Sequence, residues 1–353
     1  MNRRESTTRL LREAAFEEWL STGPRAMSHG SVARRAYFSE AAVHQRWPDR
    51  MSLISDVVNE SVVPAVHQLI SSGRRAPDPS AWVTTMTGTT TARRSVQGLA
   101  ELMFAARDDE TYHELTIGLV HDLLDTVPID STSPALVGGS RWWLVGHVLG
   151  ESLLHRCGVA LPESADAIAR LVGGDMSASK DVSLRRAQLS QQLAVAPKHE
   201  PRDALERAIL DASRARVVTE GADAVTLRTV SAEAGVTTGA VYRRWNGRSG
   251  LLSSLVAYEG LGDRYRWLPG LLGKGETELE GAAATARKVW SEPESRNFLL
   301  ELAVVAHTDD DVRQQLADRV NTVVATRLSE LGETDHCDLG NGQLTPREVT
   351  WLL

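Results

Sequence analysis

At 353 residues the chain is about twice the length of an ordinary domain, and 42% hydrophobic against 24% charged residues is the composition of a globular protein. Its 39 basic and 46 acidic side chains leave a net charge of −7, which excludes a uniformly basic nucleic-acid coat but not a local basic face. Cys157 and Cys337 stand too far apart for a CxxC pair, so a disulfide framework and a zinc ribbon are excluded, and the scarcity of cysteine suits a reducing, cytoplasmic setting.

The chain opens on Arg3, Arg4, Glu5, Arg9, Arg12 and Glu13, which is not the pattern of a secretory leader. No apolar run reaches the roughly 18 residues of a membrane span, so no membrane partner is expected. Apolar residues recur at three- and four-residue steps nearly everywhere. Trp142, Val145, Leu149, Leu153 and Cys157 do so before a stop at Gly158. Gly173-Gly174 closes the last such pattern, and a polar stretch follows in which Leu184, Leu189 and Leu193 suit a short, irregular helix. Pro197 and Pro201 punctuate a join, Pro201 fitting the first turn of a helix that begins at Arg202. Leu205, Ile209, Ala212, Ala215 and Val218 then recur up to Gly221. Without any sustained alternation between hairpin turns, the pattern predicts an all-α fold.

Self-similarity organises these helices. Displaced by 198 residues, Val32-Ala33-Arg34-Arg35-Ala36 falls on Val230-Ser231-Ala232-Glu233-Ala234, and the stretch from Ala42 to Arg50 falls on that from Ala240 to Arg248. Gly23 then meets Gly221. A displacement of 200 sets Leu99-Ala100-Glu101-Leu102 on Leu299-Leu300-Glu301-Leu302. The chain reads as a tandem duplication, with a head over 1–60, a body over 61–178, a linker over 179–201, a second head over 202–260 and a second body over 261–353. Thr350-Trp351-Leu352-Leu353 is similar to the start of the helix at Arg141-Trp142-Trp143-Leu144, so the second body reads as shortened at its C-terminus.

The second head carries the sharpest motif. Thr226 caps a helix through Ala234, Gly235-Val236 turns the chain, and Thr237 caps a helix from Thr238 to Trp245. Asn246-Gly247 ends it, and Arg248 starts the next. Two short helices joined by a glycine turn form a DNA-reading unit whose second helix enters the major groove. Val241 and Trp245 should face the core, leaving Thr238, Ala240, Tyr242, Arg243 and Arg244 to reach outward. Arg228, Arg243, Arg244 and Arg248 against Glu233 make residues 227–250 net +3, a charge suited to phosphates and guanine edges. Val230-x-Ala232-x-Ala234-Gly235-Val236-Thr237-x-Gly239-x-x-Tyr242-x-x-Trp245-x-x-Arg248-x-x-Leu251-Leu252 closely resembles the DNA-binding signature of TetR-type transcriptional regulators. That resemblance implies a three-helix head on DNA and a helical body that binds an effector and dimerises. It implies bases faced by Thr238, Ala240 and Arg243, and phosphates held by Thr237, Tyr242 and Arg248.

The first head is a worn copy. Ser39 keeps the cap, Val43 and Trp47 the core, and Arg50 the phosphate position, with His44, Gln45 and Arg46 along the reading helix. It departs at Tyr37 for the turn glycine, Ala41 for the second glycine and His44 for the tyrosine. A side chain at a positive-φ turn costs on the order of 1 kcal/mol. Glu40 would repel phosphate unless it accepts from a cytosine amine. Residues 1–50 nevertheless hold nine arginines against six acids, and residues 202–250 eight against six, which leaves −12 for the rest of the chain.

Each body should be a helical bundle with room for a small molecule. In the first body Trp82, Met86, Met103, Phe104, Tyr112, Trp142, Trp143 and His147 are candidate lining residues; Trp267, Trp290, Phe298 and His307 are those of the second. His147 and His155 lack a third ligand, and no catalytic or dinucleotide signature occurs, so neither a metal, nor a cofactor, nor an enzyme is expected. Asp309-Asp310-Asp311 suits a helix N-terminus. The chain therefore reads as a DNA-binding regulator, a repressor released by an unknown small-molecule effector. Its two units would pair within the chain on an asymmetric double-stranded operator, a homodimer being a further assembly. The alternative is a helical small-molecule sensor or scaffold acting through protein contacts.

Overall fold

The computed structural model describes residues 3–106, 109–128, 199–259 and 301–319, together with 141, 144–146, 148–150, 152, 298 and 322. Among them there is helix and no strand, the all-α class expected from the periodicity. No helix among them is long and apolar enough to cross a membrane. They fall into two compact units, one running to residue 152 and one beginning at 199.

In the first unit, α1 (Arg3–Ala26) buries Leu11, Ala15 and Trp19, one residue per turn, against α2 (His29–Ala36) and α4 (Arg50–Val57). α1 breaks at Gly23 (φ 77°), just before Pro24. Between α2 and α4 lies α3 (Glu40–Arg46), capped by Ser39. A π turn, Val58–Val62, carries α4 without interruption into α5 (Val63–Gly73). Pro64 is its cause: the ring has no N–H for the Glu60 carbonyl and would clash with it in a regular helix, and the wider turn moves that carbonyl aside. The boundary expected at residue 60 thus falls inside one continuous helix. α6 (Pro79–Thr87), α7 (Thr90–Ala105) and α8 (Glu110–Leu124) complete the described body, capped by Asp78, Thr89 and Asp109. Their core is Trp82, Met86, Leu99, Leu102 and Leu123. The one polar group of Trp82 is met, its Nε1 donating to Thr126 Oγ1 at 2.8 Å.

The second unit opens on a run of helices in similar order. α9 (Ala204–Glu220) leads through Gly221 and a 3₁₀ turn, Ala222–Ala224, to α10 (Leu227–Glu233), α11 (Thr238–Tyr242) and α12 (Arg248–Glu259). Residues 301–305 and 310–319 are helical beside it. Ile209, Leu210, Val217, Val230, Val241, Trp245, Leu251, Leu255, Leu302 and Val312 share one core. Asp203 caps α9, and the end of the linker is pinned to it. Buried Glu206 accepts from the Arg202 backbone at 2.8 Å and from its guanidinium at 3.1 and 3.2 Å, with His199 Nε2 at 3.2 Å. Burial alone would raise this carboxyl's pKa, but the Arg202 hydrogen bonds and charge override it and hold the value down.

Position by position, 198 residues apart, the heads share their ties. In the first, Arg50 donates through Nε to Met27 O at 3.0 Å and through Nη2 to Pro24 O at 2.7 Å. In the second, Arg248 donates through Nε to Val225 O at 3.1 Å and through Nη2 to Ala222 O at 3.0 Å. An ion pair also recurs between the first helix and the next, with its charges exchanged. Glu18 faces Arg35 at 2.6 Å in one head, and Arg216 faces Glu233 at 2.7 Å in the other, the latter N–H aimed off the oxygen so that the contact is ionic. Gly221 (φ 87°) differs in its surroundings: Glu301 Oε2 accepts from Ala222 N at 2.6 Å and would lie 3.2 Å from any Cβ on Gly221. The corresponding backbone in the first head is Pro24, which has no N–H to give.

Arg216 also meets Glu220 at 2.9 Å, so Arg216→Glu should set three carboxylates together and cost about 1 kcal/mol in urea unfolding, and Glu233→Arg added to it should recover most of that loss. Simple additivity of the two changes would show that the exchanged pair is not a coupled one.

Candidate nucleic-acid interface

Local chemistry builds the second head's motif as its sequence suggests. The Thr226 side chain and Thr229 cap each other's backbone at the start of α10, and Gly235 takes φ 66° in the turn. Gly235 N donates to Ala232 O at 3.3 Å and Val236 N to Ser231 O at 2.9 Å, closing the corner. Thr237 caps α11 by accepting from Ala240 N at 3.3 Å. Val241 and Trp245 are buried as expected. α11 ends at Tyr242, sooner than the predicted Trp245, and Gly247 (φ 102°) turns the chain toward α12.

Four side chains differ from expectation. Ala240 is 7% exposed and packs inward, because it shares the inner face with Val241. Thr238 is half-buried, its hydroxyl 3.0 Å from Ser231 Oγ. Arg244 folds back to Asp203 Oδ2 at 2.6 Å and toward Ala240 O. Arg248, expected on a phosphate, is committed to the two carbonyls given above and lies 3.3 Å from Asp223. What remains outward is Arg228, Thr237, Gly239, Tyr242 at 62% exposure and Arg243. Arg228 and Arg243 meet no carboxylate among the described residues, so their charges are available to an anionic ligand. These are the cations and hydroxyls that the corner leaves to solvent, the side-chain types that bond phosphates and base edges.

The first head builds the same corner from other residues. Ser28 and Ser31 form a capping box on α2, Tyr37 takes φ 58° in the turn, and Ser39 accepts from Ala42 N at 3.3 Å. Tyr37 N and Phe38 N bond to Arg34 O and Ala33 O, the counterparts of the acceptors in the second head. Its reading helix is more engaged with itself. The His44 ring stacks on His29, centroids 3.9 Å apart and 15° from parallel, and His44 Nε2 lies 3.7 Å from Glu40. His29 Nε2 in turn donates to Trp47 O at 2.9 Å. Arg46 lies over the Trp47 ring, 5.8 Å from its centroid, and 3.7 Å from Asp56. Arg50, like Arg248, is spent on backbone carbonyls rather than left for a phosphate. Glu40, Ala41 and Gln45 face outward.

Sequence reasoning missed His29 and Asp203. His29 gave no signal, since its partner lies fifteen positions away in another helix. Asp203 fell inside a helix expected to begin at Arg202 with Pro201 in its first turn; that helix instead begins at Ala204, because the Asp203 side chain caps it. For Arg248 a signal existed: a cation at the first residue of a helix opposes the helix dipole, which points to a specific acceptor nearby.

Among the candidate effector-lining residues, Met86 is fully buried, and a Cβ on Gly73 would meet its Cε at 2.7 Å. Phe104, Tyr112 and Phe298 are buried too, and Met103 is 39% exposed on the outside of α7. Burial, with Asp109 beside it, pushes the Tyr112 phenol up, partly offset by a hydrogen bond with Ser55. Trp143, His147 and Trp290 lie outside the described residues, as do Trp142 and Trp267.

A compact head whose two short helices meet at a left-handed turn, with unpaired arginines on the first of them and at the end of the second, defines a helix-turn-helix DNA-binding protein. Residues 209–255 match the family model for bacterial regulatory proteins, tetR family, which supports a DNA-binding transcriptional regulator of that family. No curated protein matches the chain.

Arg248→Ala should lower stability by about 1–2 kcal/mol in urea, because two carbonyls lose a charged donor, and should leave base preference unchanged. Unchanged stability with a salt slope reduced by about one would return Arg248 to a phosphate. Asp203 carries a pH dependence. The amide of Glu206 and then the Arg244 guanidinium hold its carboxyl below the usual range, so its contribution is whole above that range and lost as pH falls through the lowered value. Acidification below about pH 4 should release Arg244 and weaken the second head, and Asp203→Asn should flatten that part of the stability profile.

Proposed function

We propose that this chain is a sequence-specific transcriptional regulator that uses both heads on one double-stranded operator. The observation that carries the reading is the exposure of Arg228 on α10 and of Arg243 at the end of α11, both unpaired among the described residues, with Thr237 and Tyr242 exposed as well. Arg216, Arg244 and Arg248 of the same head are by contrast drawn to carboxylates.

The tandem arrangement is supported by the arginine ties, the caps and the turn that recur at a constant spacing of 198 residues. A single chain with two heads needs no second copy to span two half-sites, which in such proteins lie about 34 Å or a multiple apart. The reading surfaces differ, Glu40, Ala41 and Gln45 in one head standing where Thr238, Gly239 and Arg243 stand in the other. An operator with poor palindromy follows. Likeness to tetR-family regulators favours a repressor in the cytoplasm that a small molecule releases, with the bodies as its receptors and no catalytic step.

The test titrates the full chain against a duplex that it selects from a randomised pool. Arg243→Ala should weaken binding by about 1–3 kcal/mol and relax one base position. Affinity of the unaltered chain should fall steeply with salt. Binding without steep salt dependence would overturn the regulator and leave the helical sensor or scaffold.

A further inference from the structure

The turn of the first head holds a side chain that packing does not explain. Tyr37 adopts the left-handed conformation that glycine favours, and its side chain is 96% exposed. The same corner in the second head is made by Gly235, where a Cβ would enter open space. The core therefore neither requires a tyrosine there nor forbids one. A strained residue that supports nothing inside the molecule points outward for its reason.

Around its corner the first head has one exposed arginine that meets no carboxylate among the described residues, Arg34, where the second has Arg228 and Arg243. The positions of Arg228 and Arg243 are held there by Gly30 and Gln45. Arg50 is committed to Met27 and Pro24, and His44 lies on His29. Glu40 adds negative charge at the start of the reading helix. In a helix-turn-helix the first helix crosses the sugar-phosphate backbone and the second enters the groove by its N-terminal end, so the turn between them passes beside phosphates. A phenol hydroxyl donates to a phosphate oxygen without adding charge. We propose that Tyr37 is a phosphate-contacting residue of the first head, replacing with a neutral donor the anchoring that arginines supply in the second. The proposal rests on the docking of the first head on DNA put forward above.

The experiment uses the full chain and a duplex that the unaltered chain selects from a randomised pool. Tyr37→Gly should weaken binding roughly three- to tenfold while leaving the salt slope unchanged, since no counterion-releasing charge is lost. Its thermal midpoint should stay level or rise, because the strained turn is relieved. Tyr37→Phe should lose most of the same affinity with no gain in stability. Tyr37→Gly binding as tightly as the unaltered chain, with Gln45→Ala weakened, would overturn the proposal while the first head stays on DNA. If Arg243→Ala alone weakened binding, Tyr37→Gly and Gln45→Ala having no effect, the first head would be off the DNA, and that reading would fall together with the proposal.

Discussion

The turn that leaves the first helix of each head presents two carbonyls to the start of its last helix, and one guanidinium turns back to bond both. Arg50 and Arg248 stand at the first residue of their helices, where the dipole disfavours a cation, and are held there by hydrogen bonds across the head. Each bond fixes the start of the last helix against the end of the first. The reading helix packs on the helix before it, α3 on α2 and α11 on α10. Val43 with Trp47, and Val241 with Trp245, then seat that helix on the core.

Within that common frame the heads divide their side chains differently. The second leaves its reading surface open, with Arg228 and Arg243 unpaired and only Arg244 drawn back by Asp203. The first turns inward: a stacked imidazole pair, a guanidinium over an indole, and a carboxylate beside His44. Internal contacts of this kind raise the order of a surface and lower its capacity for new partners. The strained corner at Tyr37 is the exception, a side chain given wholly to solvent.

Helices, caps and the corner were legible in the sequence because each depends on residues within four positions. Thr226, Thr237 and Gly235 each act locally, and the paired hydrophobic positions of α11 follow from one turn of helix. Ties between elements were not legible. Nothing in the neighbourhood of Arg248 marks Val225 and Ala222 as its acceptors, and nothing near Arg244 points to a carboxylate forty-one positions earlier. The inward turn of Ala240 shows the same limit, for a small apolar residue suits either side of a short helix. The π turn at Val58–Val62 sat in plain view at Pro64, yet reading it required knowing that the helix continues through the proline rather than ending there.

The exchanged ion pair bears on how a chain with two like heads reaches its fold. Tandem repeats invite mispairing, in which an element of one copy docks on the other during folding. Glu18 would then meet Glu233, or Arg216 would meet Arg35, at a partly buried contact where like charges repel. Each first helix meets the opposite charge only in its own head, so the two contacts of opposite sense disfavour an exchange between similar halves.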